Sequence, residues 1–413
     1  MNLFYYFIIF ILLFAFIGHN SIMKGLYILV SFYTIKYSFT EILRKDLRHV
    51  IAFSKISIKL YKTIQLFLLV SVFFLLYSLF NIPSLWGIKY LGFRYDYIFR
   101  HYFIIYSAFI GFFIAFESFK NYSIPNINTK KLLLFLALCI WGSIGGSIGG
   151  DYHLILLTLG LQTITLLVTN TRNKLYLILI PLLYSSADNS TYTMIGLLSI
   201  IAFIFPAPIA SFFKKNIILK FSLILILLIV SFVILSIVIM QYISDDANAL
   251  WRLMVWTNEI LSLKETYFTG VGYGSAYVTE TIYKEVSNSN MYTNDFTGNE
   301  GLFVVANHSS ILNMFYRMGV IGGILYISII LITLKWYSKI YRSIKIKKSR
   351  RYLYWALINW IINLLIICIN PGLESPQFAT TYLLSQGLLW GTLLHFQKQL
   401  YVVSNNNLLS TRK

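Results

Sequence analysis

Long apolar runs alternate with short polar connections along nearly the whole chain. A membrane-crossing helix needs roughly 20 largely apolar residues, because the hydrocarbon core is about 30 Å thick and a helix rises about 1.5 Å per residue. Twelve runs meet or approach that length: 3–18, 22–40, 63–82, 102–119, 131–148, 153–169, 175–187, 190–212, 217–243, 310–334, 352–370 and 377–396. The 175–187 run is short, and Pro181 inside it would kink or break a helix. The first run has no basic segment before it and no small-x-small cleavage site, so a retained span is expected and not a signal peptide. The pattern predicts an all-α, polytopic integral membrane protein. It divides into spans one to nine over 1–243, a large loop over 244–309, spans ten to twelve over 310–396 and a tail over 397–413.

Two connections are long, and long loops in compact folds usually carry function. One covers 83–101. The other, 244–309, holds eight of the fifteen acids: Asp245, Asp246, Glu259, Glu265, Glu280, Glu285, Asp295 and Glu300. Its opening, Ala249 to Leu263, mixes Trp251, Leu253, Trp256, Ile260 and Leu261 with polar residues. That mixture predicts a helix lying at the membrane surface.

Composition agrees with the membrane reading. Of 413 residues 58% are hydrophobic and 12% charged, about half the charge of a soluble domain. A disordered chain and an ordinary cytosolic enzyme are excluded. The net charge of +19 would suggest an anionic partner in a soluble protein. Its distribution gives a different reason. With both termini inside, 25 of the 34 Lys and Arg fall on inside segments, eight of them in 335–351. Six fall outside: Lys89, Arg94, Arg100, Arg252, Lys264 and Lys284. This is the positive-inside bias of a membrane protein, with no nucleic-acid partner implied. Cys139 and Cys368 both lie in predicted spans. No repeat of 20–50 residues and no inverted repeat occurs, which weakens a carrier reading.

The stretch from Arg252 to Gly323 carries the candidate chemistry. It contains Trp251-Arg252-Leu253-Met254-Val255-Trp256, then Gly270-Val271-Gly272-Tyr273-Gly274. It ends with Asn307-His308-Ser309-Ser310-Ile311-Leu312-Asn313 and Arg317-Met318-Gly319-Val320-Ile321-Gly322-Gly323 at the tenth span. An Arg early in the loop, a Gly-x-Gly-x-Gly turn and a His-bearing entry to a glycine-rich span resemble the O-antigen polymerase and O-antigen ligase superfamily. Those proteins are integral membrane glycosyltransferases that use undecaprenyl-diphosphate-linked glycans. Where the family often has an acid one turn into this span, the chain has Arg317, and no Ser-Arg pair opens a middle span.

The resemblance implies a GT-C-like fold and a bacterial inner-membrane location, with a periplasmic active site. The implied reaction is metal-independent, inverting glycan transfer without a cofactor. A lipid-linked oligosaccharide, the bilayer and a chain-length regulator protein are the implied partners. The residue types suit that chemistry. Arg binds diphosphate oxygens through a two-pronged fork and stays charged. A His can take the proton of an attacking sugar hydroxyl. Arg252 and His308 are thus the catalytic candidates. Arg94, Arg317, Asn307 and Glu259 are the substrate-binding candidates, Arg94 because it follows the third span as a family Arg does.

Each residue also has a plainer reading. Arg252 beside two tryptophans fits an interfacial anchor. His308 fits a cap for the tenth span. Arg317 inside a span fits either function or an internal ion pair. On one continuous helix His308 and Arg317, nine residues apart, would face opposite sides. Glu259, seven residues after Arg252, shares its helix face. Arg100 and His101 fit a topological role at a span entrance. Gly142, Gly145, Gly146, Gly149 and Gly150 fit helix packing.

Three functions compete: a polymerase of lipid-linked repeat units, a ligase that moves finished glycan to the lipid A core, and a flippase for lipid-linked oligosaccharide. The polymerase is the preferred reading. A flippase predicts charges along many spans, whereas only Lys24, Lys36 and Arg317 lie within them.

Overall fold

The computed structural model describes residues 55–82, 92–98, 101–102, 112, 115–116, 119–120, 128–144, 153–184, 190–212, 247–277, 309–369 and 376–410. The expected spans over 3–18, 22–40 and 217–243 lie outside the described residues, as does most of 102–119. The glycines expected to pack helices at the end of the fifth span also fall outside, apart from Gly142 at the backbone level.

The described chain is helical, with one isolated antiparallel bridge between Phe93 and Ser275. The helices are α1 (Lys55–Leu79), α2 (Thr129–Ile144), α3 (His153–Thr171), a 3-10 turn (Lys174–Ile178), α4 (Leu179–Tyr184) and α5 (Ser190–Ile204). They continue with α6 (Pro206–Phe212), α7 (Ala247–Glu265), α8 (Ser310–Ser343), α9 (Lys347–Ile369) and α10 (Pro376–Ser410). Among the described residues three segments are long and apolar enough to cross a membrane: Lys55–Leu79, Ser310–Ser343 and Lys347–Cys368. Lys174–Tyr184 falls short of a crossing. Its first residues form a 3-10 turn capped by the Asn173 side chain, and Pro181 sits in the six-residue α4. α10 continues beyond 396 to Ser410, through most of the expected tail.

α1 shows how these helices meet two different surroundings. Leu60, Ile64, Phe67, Ser71, Phe74, Tyr77 and Ser78 are buried, at three- and four-residue spacing. α1 packs along α8. Leu66, Leu69, Val72, Phe73 and Leu76 form an exposed apolar face. A helix apolar on every side belongs in lipid. α5 repeats the pattern with exposed Leu197 and Ile201 against buried Ile195, Ser199 and Ala202.

α10 lies at the centre, packed on α9, α3 and α8. Leu383, Leu384, Leu388, Leu389, Trp390, Leu393 and Leu394 are all buried. In lipid the hydrophobic effect gives little drive for helix association, so close packing and hydrogen bonds must hold it. Trp336 donates to Gln397 Oε1 at 2.6 Å and Trp390 to Thr333 Oγ1 at 3.1 Å, both linking α8 to α10. Gly387 and Gly391 let the main chain at Phe112 and Phe116 approach. A Cβ would stand 2.2 Å from Phe112 O at the first and 2.7 Å from Phe116 O at the second.

α7 forms where the amphipathic pattern predicts it, but it is no free surface helix. Val255, Asn258, Glu259, Ser262 and Leu263 are buried, and α7 packs on α8. Ile260 and Leu261 remain exposed on the other side.

Candidate active site

A break in α8 organises the site. Gly319 has φ 63° and ψ −171°, a conformation essentially restricted to glycine. The helix there cannot continue its hydrogen-bond ladder. The Tyr316 carbonyl, which would ordinarily accept from Val320, accepts from Val271 N–H at 2.9 Å. The Arg317 carbonyl accepts from Gly272 N–H at 3.0 Å, and Val320 N–H donates to Phe268 O at 3.1 Å. The helix thus exchanges its internal partners for those of the glycine turn.

The turn itself has positive φ at Gly270, Gly272 and Gly274, 86°, 74° and 84°. Its N–H groups point inward. Beyond the two on α8, Tyr273 N–H donates to Ser78 Oγ at 2.7 Å, Gly274 N–H to His101 Nδ1 at 3.1 Å and Ala276 N–H to Gly92 O at 3.0 Å. A glycine-rich turn often presents such groups to phosphate. Here these five are used within the protein and are not offered to an anion.

Tyr273 is buried, its hydroxyl 3.0 Å from Ser71 Oγ, and burial pushes its phenol pKa up, so it stays protonated. His101 is buried with its ring 5.0 Å from that of Tyr277. Its Nδ1 accepts a hydrogen bond from Gly274 N–H, which places the proton of a neutral ring on Nε2. Sequence reasoning placed His101 at a span entrance; the structure places it under the turn. Ser78, at the end of α1, carried no sequence signal at all.

Arg317 is 1% exposed. Its Nη1 donates to Ser275 O at 2.6 Å, Ser275 Oγ at 2.9 Å and Gly272 O at 3.2 Å. The guanidinium lies 4.2 Å from the Tyr277 ring centroid and 5.3 Å from that of Tyr316. Burying a cation is costly, and these carbonyls and ring faces offset the lost water. Nε and Nη2 have no hydrogen-bond partner among the described residues. One edge of the fork holds the turn, and the other edge is not engaged by it.

Arg94 joins the site from the first long loop. Its N–H donates to Gly274 O at 3.0 Å, and the Phe93–Ser275 bridge lies beside it. The side chain is half-buried. It makes a two-pronged contact with Asp96, 3.1 Å to Oδ1 and 2.7 Å to Oδ2, and lies 4.7 Å from the Tyr97 ring. The described parts of the two long loops are therefore bonded to each other.

Glu259 is fully buried on α7, not the exposed orienting partner that a surface helix would offer. Position 252 lies two turns earlier on the same helix, and its side chain is outside the described residues, as are Asn307 and His308. α8 starts at Ser310 with Ser309 as N-cap, its hydroxyl accepting from Leu312 N–H. The helix thus begins after His308, and the opposite-face relation expected of one continuous helix from 308 to 317 does not arise.

Comparison with protein families matches residues 155–327 to O-antigen ligase. Over that stretch the chain is similar to the O-antigen ligase family, which supports the resemblance to the O-antigen ligase and polymerase superfamily. No curated protein and no solved structure matches it. The O-antigen ligase match runs from α3 into α8, and includes α7, the glycine turn and Arg317. Arg94, His101 and Ser78 precede it, so the turn binds family and non-family segments together. The matched family acts on lipid-linked oligosaccharides in a membrane, and the apolar helices of this chain agree with an integral membrane protein.

Proposed function

We propose that the protein is a polymerase of surface polysaccharide, acting on the outer face of the bacterial inner membrane. It joins lipid-linked repeat units. A hydroxyl oxygen of one unit attacks the anomeric carbon of the glycan on undecaprenyl diphosphate. The carbon–oxygen bond to the diphosphate breaks, and the diphosphate leaves with the electron pair. His308 takes the hydroxyl proton, and attack from the opposite face inverts the anomeric centre. Arg252 stabilises the departing diphosphate, since a fixed cation at a developing charge is often the largest catalytic contribution. Arg94, Asn307 and the open edge of Arg317 contact the donor, and Glu259 acts from its buried place on α7 by fixing the helix that carries Arg252.

One observation carries this reading: the turn's backbone donors are consumed internally. The turn works as a rigid hub for arginines, and Arg is the side chain suited to a diphosphate. Glycan transfer to lipid A core remains the second reading, because the O-antigen ligase match favours it equally.

The decisive experiment incubates purified protein with an undecaprenyl-diphosphate repeat unit alone. Long chains are expected. Product only after addition of lipid A core would make the protein a ligase, and no product in either case would return attention to a flippase. Arg252→Ala and His308→Ala are expected to abolish extension at unchanged membrane levels. Normal extension in both would overturn the site.

A further inference from the structure

A second charged site lies at the far end of α8. Between the ends of α3, α5, α6, α8 and α9 is a cavity of about 440 Å³, within the range of small-molecule sites, roughly 300–1,000 Å³. Five cations line it: Arg172, Lys174, Lys347, Arg350 and Arg351. No acid does. Tyr341 stands about 22 residues past the break at Gly319, roughly 33 Å along a helix. That is about the thickness of the hydrocarbon core, so the cavity opens at the opposite membrane face from the glycine turn.

The cations are held in place by neutral groups. Arg350 Nε donates to Ile344 O, and its guanidinium lies 5.8 Å from the Tyr341 ring. Arg351 Nη1 donates to Thr169 O at 3.3 Å and Lys174 Nζ to Ile204 O at 3.0 Å. Carbonyls and a ring fix position without cancelling charge. Lys347 opens α9, where the helix dipole adds further positive potential. Topological bias explains cations at a membrane face. It does not explain five of them around one concavity, where they repel one another.

Beside Thr169 and two tyrosines, the rest of the lining is an apolar wall of Val168, Phe203, Pro206, Ala207 and Ala210. A site for a freely soluble phosphate has no use for such a wall. An amphiphile needs both parts. We propose that this cavity binds the phosphate headgroup of an anionic membrane lipid, with the cations on the phosphate and the wall of Phe203, Pro206 and Ala210 against the start of its acyl chains.

The test uses the purified full chain in detergent, titrated with short-chain phosphatidylglycerol, phosphatidylcholine or inorganic phosphate, with bound ligand read by native mass spectrometry. Retention of phosphatidylglycerol over phosphatidylcholine is expected. Arg172→Gln with Lys347→Gln should weaken it about tenfold or more, since each cation near an anionic headgroup contributes on the order of 1 kcal/mol. Lys130→Gln with Lys131→Gln, equal charge removed from the exposed start of α2, should leave it unchanged. Equal binding of the two lipids, or an equal loss in both variant pairs, would overturn the site. Saturable binding of inorganic phosphate without lipid preference would overturn the lipid assignment. Lipid-free melting curves should coincide. If the double variant fails to fold, Lys347→Gln alone, at an exposed position, should weaken retention of phosphatidylglycerol about fivefold, and no loss would overturn the site.

Discussion

Gly270 and Gly319 meet backbone to backbone. A Cβ at 270 would stand 2.4 Å from Gly319 N, and one at 319 would stand 2.5 Å from Phe268 O and Thr269 O. Both residues also have positive φ. Alanine at either position therefore meets main chain that cannot swing aside and adopts a strained conformation. Each substitution should cost about 2–4 kcal/mol. The expected outcome for Gly270→Ala or Gly319→Ala is a lower melting temperature and lost activity together. Full stability in either would mean that the turn and the helix break do not depend on each other.

Arg317 tests how much of the site is scaffold. Its Nη1 serves three acceptors in the turn, and its ring contacts need a flat cation. Arg317→Ala leaves the Gly272 and Ser275 carbonyls without that donor and should cost roughly 2–4 kcal/mol. Arg317→Lys keeps a charge near those carbonyls but loses the second edge of the fork. It should retain most of the stability and raise the KM for lipid-linked donor. A lysine variant with the donor KM of the parent would limit Arg317 to holding the turn.

Much of this was legible in the sequence, for reasons that differ by residue. Apolar runs mark α1, α8 and α9 because lipid imposes a length and a composition on any crossing helix. Three alternating glycines mark the turn, since positive φ narrows the choice of residue. The two long loops were legible separately, but their junction was not. It rests on main-chain bonds, such as Arg94 N–H to Gly274 O, which leave no trace in side-chain identity. Ser78 and His101 matter through one acceptor atom each, at positions where serine and histidine have commoner explanations. The kink at Gly319 was hidden inside an apolar glycine-rich run that reads equally well as helix packing.

Ser78 gives the mildest probe of the hub. Its Oγ donates to Phe74 O and accepts from Tyr273 N–H. Ser78→Ala orphans a buried amide donor at a cost of about 1–3 kcal/mol. Ser78→Cys keeps an acceptor of sorts at similar size. The expected order of melting temperature is parent, then cysteine, then alanine. Equal melting of all three would show that Tyr273 is held by its ring and hydroxyl alone.

Arg94 and Asp96 offer a separation of binding from chemistry by pH. The hydrogen bond from Arg94 holds the Asp96 carboxyl below its ordinary range. A lowered carboxylate pKa means that the pair is complete above the ordinary value and is lost only as pH falls through the depressed one. From about pH 5 to 8 the pair therefore does not titrate. Asp96 is exposed, so its part is to aim the guanidinium and not to stabilise the fold. Asp96→Asn should raise donor KM severalfold, by the same factor at every pH in that window, with kcat and melting temperature unchanged. Arg94→Ala should raise it further. Activity controlled by His308 should instead fall as pH drops through the histidine range, in kcat, in both parent and Asp96→Asn. A KM effect of Asp96→Asn that grew or vanished across the window would mean that Arg94 is aimed by some other titrating group.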